Sequence, residues 1–219
     1  MLNLSIVQTI AVWAIPVLLA ITLHEAAHAW VANRCGDHTA KMLGRLSFNP
    51  FHHIDLVGTI IVPIVVAALS DFHFIFGWAK PVPINWMLLK NPRRDTALVA
   101  AAGPLSNFIM ALFWAACLKI SLMLHPEHSY TILFLVLASQ AGLLINLILG
   151  LLNLLPIPPL DGSRVVASLL PGHLANIYLK IEPFGFFILL ALLFSGLFTL
   201  ILNPLLAGSL AIIRSLFNI

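Results

Sequence analysis

His24, Glu25 and His28 sit in ITLHEAAHAW, residues 21–30, at the end of a run without charge from Met1 to Leu23. An acid at the bilayer centre costs roughly 2.5–3.5 kcal/mol on insertion scales, so ionisable groups in an apolar helix point to function. On a helix, residues 24 and 28 are one turn apart and share a face. Two imidazoles so placed can bind one Zn2+, with Glu25 beside them as general base. The competing reading is a hydrogen-bonded histidine pair and a glutamate at the membrane interface.

Catalytic zinc takes three protein ligands and keeps one position open for water. NLLPIPPLDGSR, residues 153–164, offers Asp161 after a long apolar segment and a proline-rich break. Alone, Asp161 would read as a helix N-cap. Beside the first motif it reads as the third metal ligand. For His24, His28 and Asp161 to share one ion, the helices leading to them must run parallel, with an odd number of crossings between them.

The elements that must position these residues are membrane spans. The 219 residues are 61% hydrophobic and 9% charged, with mean hydropathy +1.03, whereas a soluble domain carries about 25% charged residues. Four stretches are long enough to cross about 30 Å of hydrocarbon: from about Leu4 to Asn33, Thr96 to Leu124, Thr131 to Leu155, and Phe184 to about Phe217 with a break near Asn203-Pro204. A shorter stretch, Leu56 to Leu69, contains Gly58 and Pro63 and suits a re-entrant or β-like segment. Gly103, Pro104, Pro156, Pro158 and Pro159 are expected to interrupt regular helix, which at membrane depth implies a protein-lined or wet cavity.

The net charge of +3 and pI near 9.1 suit topogenic loops better than nucleic acid, because no basic cluster alternates with aromatics. Arg34, Lys41, Arg45, Lys80, Lys90, Arg93 and Arg94 fall between the first and second spans, as cytoplasmic loops require if residues 56–69 do not cross. The N-terminus is then outside and the metal toward the cytosolic half. Cys35 and Cys117 form no CxxC pair and read as small apolar fillers. The first span lacks a basic n-region and a cleavage site, so it is expected to remain in the mature protein. His125 and His128 fall in a loop on the face away from the metal. His52 and His53 suit interfacial packing, with substrate contact as the alternative, and His38, His73 and His173 carry no signal.

HEAAH in the first helix, AAGPLSN (residues 101–107) and NLLPIPPLDG resemble, in that order, the site-2 protease family of intramembrane zinc metalloproteases. FNPFHHIDLVGT and FGWAKPVPIN…NPRRD resemble its compact prokaryotic branch. The resemblance implies one Zn2+ per chain on His24, His28 and Asp161, Glu25 as the catalytic glutamate, and Asn153 as a group stabilising substrate or oxyanion. It also implies that residues between the first helix and NPRRD form membrane-associated β-structure that grips unfolded substrate. No stretch of the sequence resembles the PDZ-like insertion or CBS-like tail of larger relatives, so substrate filtering or nucleotide regulation by such domains is not expected.

Together these readings predict an all-α polytopic membrane protein. It would be a bundle of about four to six transmembrane helices with a short re-entrant or β-like segment after the first. Residues 1–219 would form one membrane-embedded metalloprotease domain, with core motifs in 15–170 and C-terminal helices in 171–219. The substrate would be a single-pass protein of the cell membrane, cut within or near its transmembrane segment. The alternative is a membrane metal-ion transporter or channel, in which intramembrane His, Glu and Asp line an ion path.

Overall fold

A computed structural model describes residues 4–53, 55–62, 65, 80–126 and 129–219. Five segments among the described residues are long and apolar enough to cross a membrane. The chain is a multi-pass, all-α membrane protein, and no strand occurs among the described residues.

Helix α1, Ile6–Cys35, begins in a capping box. Ser5 Oγ accepts from the Gln8 N–H at 3.3 Å, and Gln8 Oε1 accepts from the Ser5 N–H at 2.9 Å, which satisfies two otherwise orphaned donors. It ends where Gly36 adopts φ 114°, a left-handed conformation that costs glycine little. Helix α2, Pro92–Met123, opens on Pro92, whose missing N–H is harmless in a first turn. Helix α3, Tyr130–Asn153, follows after a short loop.

These three helices pack through small residues. Ala20, Ala29 and Ala32 on α1 and Ala100, Ala111 and Ala115 on α2 are fully buried. Gly142 of α3 lies so close to the Trp114 indole that a Cβ would collide with the ring. In lipid, where apolar side chains gain nothing by leaving the tails, such close backbone approach supplies the packing.

His28 of α1 meets Val99 of α2, and His24 meets Asn107. Rising residue number on one helix matches falling number on the other, so the pair is antiparallel. The α2–α3 hairpin reverses direction again, and α1 and α3 run the same way, as the shared ion requires. After α3, residues 154–160 turn back through a cis Pro158-Pro159 bond to helix α4, Asp161–Leu169. Helices α5 (Gly172–Leu179) and α6 (Gly185–Phe194) lie within the fourth span, and α7 (Leu197–Phe217) is the fifth.

Three expectations need correction. The C-terminal break falls at Ser195-Gly196, where Gly196 has φ 74°, while Pro204 stays inside α7; a transmembrane helix can re-satisfy the carbonyl that proline frees. Gly103 and Pro104 do not interrupt α2, which runs continuously through both. Leu56–Ile61 is a six-residue π-helical turn rather than a strand, capped by Asp55 Oδ1 on the Gly58 N–H at 2.7 Å. The rest of the 56–69 reading, His73 and His128 lie outside the described residues.

Candidate metal centre

His24 and His28 project from the same face of α1 and are 7% and 6% exposed. Their Nε2 atoms lie 3.0 Å apart. Asp161, the first residue of α4, places Oδ2 3.2 Å from each of them. One donor atom from each of the three residues thus meets the others within 4.8 Å. Zinc–nitrogen and zinc–oxygen bonds of about 2.0–2.2 Å at tetrahedral angles set neighbouring ligand atoms roughly 3.3–3.5 Å apart. The observed triangle is only slightly tighter.

Hydrogen bonding on the far side of each ring sets which nitrogen carries the proton when the imidazole is neutral. His28 Nδ1 lies 2.7 Å from the Val99 carbonyl oxygen, which can only accept, so Nδ1 holds the proton. His24 Nδ1 lies 2.6 Å from Asn107 Oδ1. The Asn107 amide is oriented because its Nδ2 donates to Ala20 O at 3.2 Å and to Asn146 Oδ1 at 3.0 Å. Asn146 Nδ2 in turn donates to Gly142 O at 2.9 Å. With both rings neutral, the imidazoles turn unprotonated Nε2 lone pairs toward Asp161 Oδ2, a buried oxygen with no other hydrogen-bond partner among the described residues. Three converging acceptors repel one another unless a cation sits among them. A His2Asp donor set with one vertex open suits catalytic zinc.

Gly103 explains the close approach of α2. A Cβ at this position would lie 2.6 Å from His24 Nε2 and nearer still to His28 Nε2. Gly162 does the same for the returning loop, where a Cβ would lie 2.5 Å from Leu155 O and nearer still to Leu154 O. The LDG signature thus lets α4 start hard against the end of α3.

Glu25 is not one of the converging ligands. Its Oε2 accepts a 2.7 Å hydrogen bond from the Val82 N–H, in an extended segment that crosses beside α1. Asn153, at the end of α3, donates through Nδ2 to Leu149 O of its own helix at 3.0 Å. His53 is buried against Ser47 O, His38 pairs with Asn33, and His52, His125 and His173 are exposed. None of these joins the cluster.

The AAGPLSN motif gives Asn107 no contact in sequence, and no motif contains Asn146. Both are fully buried polar residues in apolar helices, and the rule that singled out the histidines could have flagged them. Asp37 was also missed. It is fully buried just past α1, accepts from Thr39 N and Oγ1 through Oδ1, and accepts from Asn85 N through Oδ2 at 2.7 Å.

The family described as peptidase family M50 matches residues 12–135 and 129–196. "Putative zinc metalloprotease YwhC" of Bacillus subtilis is 38% identical, over 93% of this chain and 90% of its own. "Putative zinc metalloprotease Rip2" of Mycolicibacterium smegmatis is 29% identical, over 80% of this chain and 64% of its own. "Regulator of sigma-E protease RseP" of Salmonella typhimurium is 30% identical, over 50% of this chain and 25% of its own. No solved structure matches the chain.

Proposed function

The chain belongs to peptidase family M50, the site-2 protease family of zinc metallopeptidases, and from that premise we propose that it hydrolyses a peptide bond within or near the transmembrane segment of a single-pass membrane protein. Residues 1–219 act as one membrane-embedded protease unit with one Zn2+ per chain. The observation that carries this reading is the convergence of His24 Nε2, His28 Nε2 and Asp161 Oδ2 inside a bundle of membrane spans. A metal transporter would explain the three ligands, but not the glutamate beside His24 or the proline-bracketed LDG.

His24, His28 and Asp161 would hold the metal. When bound there, zinc supplies Lewis-acid polarisation of the substrate carbonyl and a water nucleophile near neutral pH. Glu25 takes the proton of the attacking water and returns it to the leaving amine nitrogen, a general base that becomes the general acid. Asn107 Oδ1 and Val99 O hold the imidazoles with Nε2 forward, so the rings need no reorientation as charge develops. Burial of both histidines keeps bulk water from screening the site. Asn153 serves the oxyanion by turning its amide from Leu149 O toward the substrate carbonyl.

The basic residues between α1 and α2 lie at the end of α1 nearer to the metal-binding residues, where the Lys90 N–H reaches Cys35 O at 3.0 Å. By the positive-inside rule that end reads as the cytosolic one, which supports a site in the cytosolic half of the cell membrane. Cleavage of a model transmembrane peptide beside a zinc assay tests the reading. Wild type cuts, and Glu25→Gln retains zinc without cutting. A Glu25→Gln protein that cuts like wild type, or a zinc-loaded wild type that only moves ions, would refute it.

A further inference from the structure

We propose that the Val82 backbone N–H is the positioning donor for Glu25, presented by a strap of residues 80–88 that Pro81 and Pro83 stiffen. The proposal rests on the protease reading, in which Glu25 is the base.

Glu25 has several rotatable side-chain bonds, yet a general base must stay within about 2.6–3.2 Å of the proton it takes. The 2.7 Å bond from Val82 N–H to Oε2 fixes one carboxylate oxygen and leaves Oε1 to receive the proton. A charged acceptor makes such a bond short and strong. The run KPVPI makes the donor unambiguous. Prolines carry no N–H, so Val82 supplies the one backbone donor among residues 81–83. Each proline also confines the residue before it, Lys80 or Val82, to extended conformations.

The Val82 side chain secures the same placement. It is buried against Ala29 and Ala40, and Ala29 lies one turn beyond Glu25 on the same face of α1. One residue therefore docks its side chain on Ala29 and its N–H on Glu25. The strap is held along its length. Arg45 Nη2 donates to Lys80 O at 3.1 Å and to Pro81 O at 3.4 Å. The Asn85 N–H reaches Asp37 Oδ2 at 2.7 Å. Trp86 lies under the Arg164 guanidinium, 4.5 Å from ring centroid to Cζ. Arg164 belongs to α4, the helix that Asp161 begins, so the mount of the base is tied to the element carrying the third ligand.

Val82→Pro and a backbone ester at the same position (α-hydroxyvaline for valine) each delete the N–H; Val82→Ala keeps it and trims only the packing. With a transmembrane peptide as substrate, the proline and ester variants retain wild-type zinc content and KM, while kcat falls about 10- to 100-fold, the scale of an ångström misplacement. Val82→Ala restores kcat to within about threefold, because the donor rather than the side chain sets the orientation, although its thermal midpoint drops. If the proline variant does not fold, the ester variant decides. An ester variant with wild-type kcat, or an alanine variant losing as much kcat as the proline one, overturns the proposal. A wild-type protein that binds zinc but cuts no such peptide overturns the protease reading first, a separate result.

Discussion

His24 Nε2 and Asp161 Oδ2 lie 3.2 Å apart, although one sits inside the first span and the other opens a helix after the third. Their meeting depends on the parallel course of α1 and α3 and on the tight return through residues 154–160. On the proposed assignment, Asp161→Ala removes one of three ligands and the only carboxylate among them. Zinc affinity should fall by more than the roughly 10- to 100-fold typical of outer-shell changes, with cleavage lost in parallel. Competition with a chromophoric chelator measures this, and wild-type affinity in a folded Asp161→Ala protein would contradict the assignment.

Asn107 holds His24 from behind at 2.6 Å and is itself held by Ala20 O and Asn146. Its removal frees the ring and leaves buried partners unpaired. Asn107→Ala should weaken zinc binding about 10- to 100-fold, and Asn107→Asp, which keeps the acceptor for His24 but sets a second oxygen against Ala20 O and Asn146 Oδ1, should recover only part of it. Equal zinc affinity in wild type and Asn107→Ala would show that helix packing alone orients the ring.

Asn153 spends its Nδ2 on Leu149 O in this structure. If the amide turns to the oxyanion, Asn153→Ala lowers kcat by about 100- to 1000-fold, the usual cost of a lost oxyanion donor, and leaves zinc content unchanged. An effect on the thermal midpoint alone would assign Asn153 to helix stability.

Asp37 supplies a pH dependence outside the membrane spans. Burial pushes its carboxyl up, but the Thr39 hydroxyl and N–H and the Asn85 N–H outweigh this and hold it below the usual range. The folded value is therefore lower than the unfolded value of about 3.9. Its contribution is complete above that pH and is lost as pH falls through the folded value. Asp37→Asn should lower the thermal midpoint at pH 7 through bonds worth roughly 1.5–3 kcal/mol each in charged form. The gap to wild type should close in acid; a gap constant with pH would rule the carboxylate out as its source.

What the sequence makes legible follows from how strongly chemistry constrains residue type. Two imidazoles on one helix face must sit one turn apart, and a carboxylate must return to their depth, so the meeting of His24, His28 and Asp161 can be read before any fold is known. Asn107 and Asn146 carry no such spacing. Each is a lone amide in an apolar helix, and its partner depends on how α1, α2 and α3 pack. The Glu25–Val82 bond is harder still, because a backbone donor has no residue type; only the flanking prolines hint at it. The C-terminal break lies at Gly196 and not at Pro204 because membrane helices tolerate the proline, while the glycine's left-handed conformation ends the turn. Gly103 suggested a break for the same reason, yet it marks close contact with the two imidazoles.

X-ray absorption at the zinc edge of the loaded protein tests the central claim most directly. The account predicts a light-atom shell at about 2.0–2.2 Å with the multiple-scattering pattern of two imidazoles and no sulfur, and a loss of one oxygen from that shell in Asp161→Ala. A shell containing sulfur at about 2.3 Å, or a single imidazole, would place the ion elsewhere and contradict it.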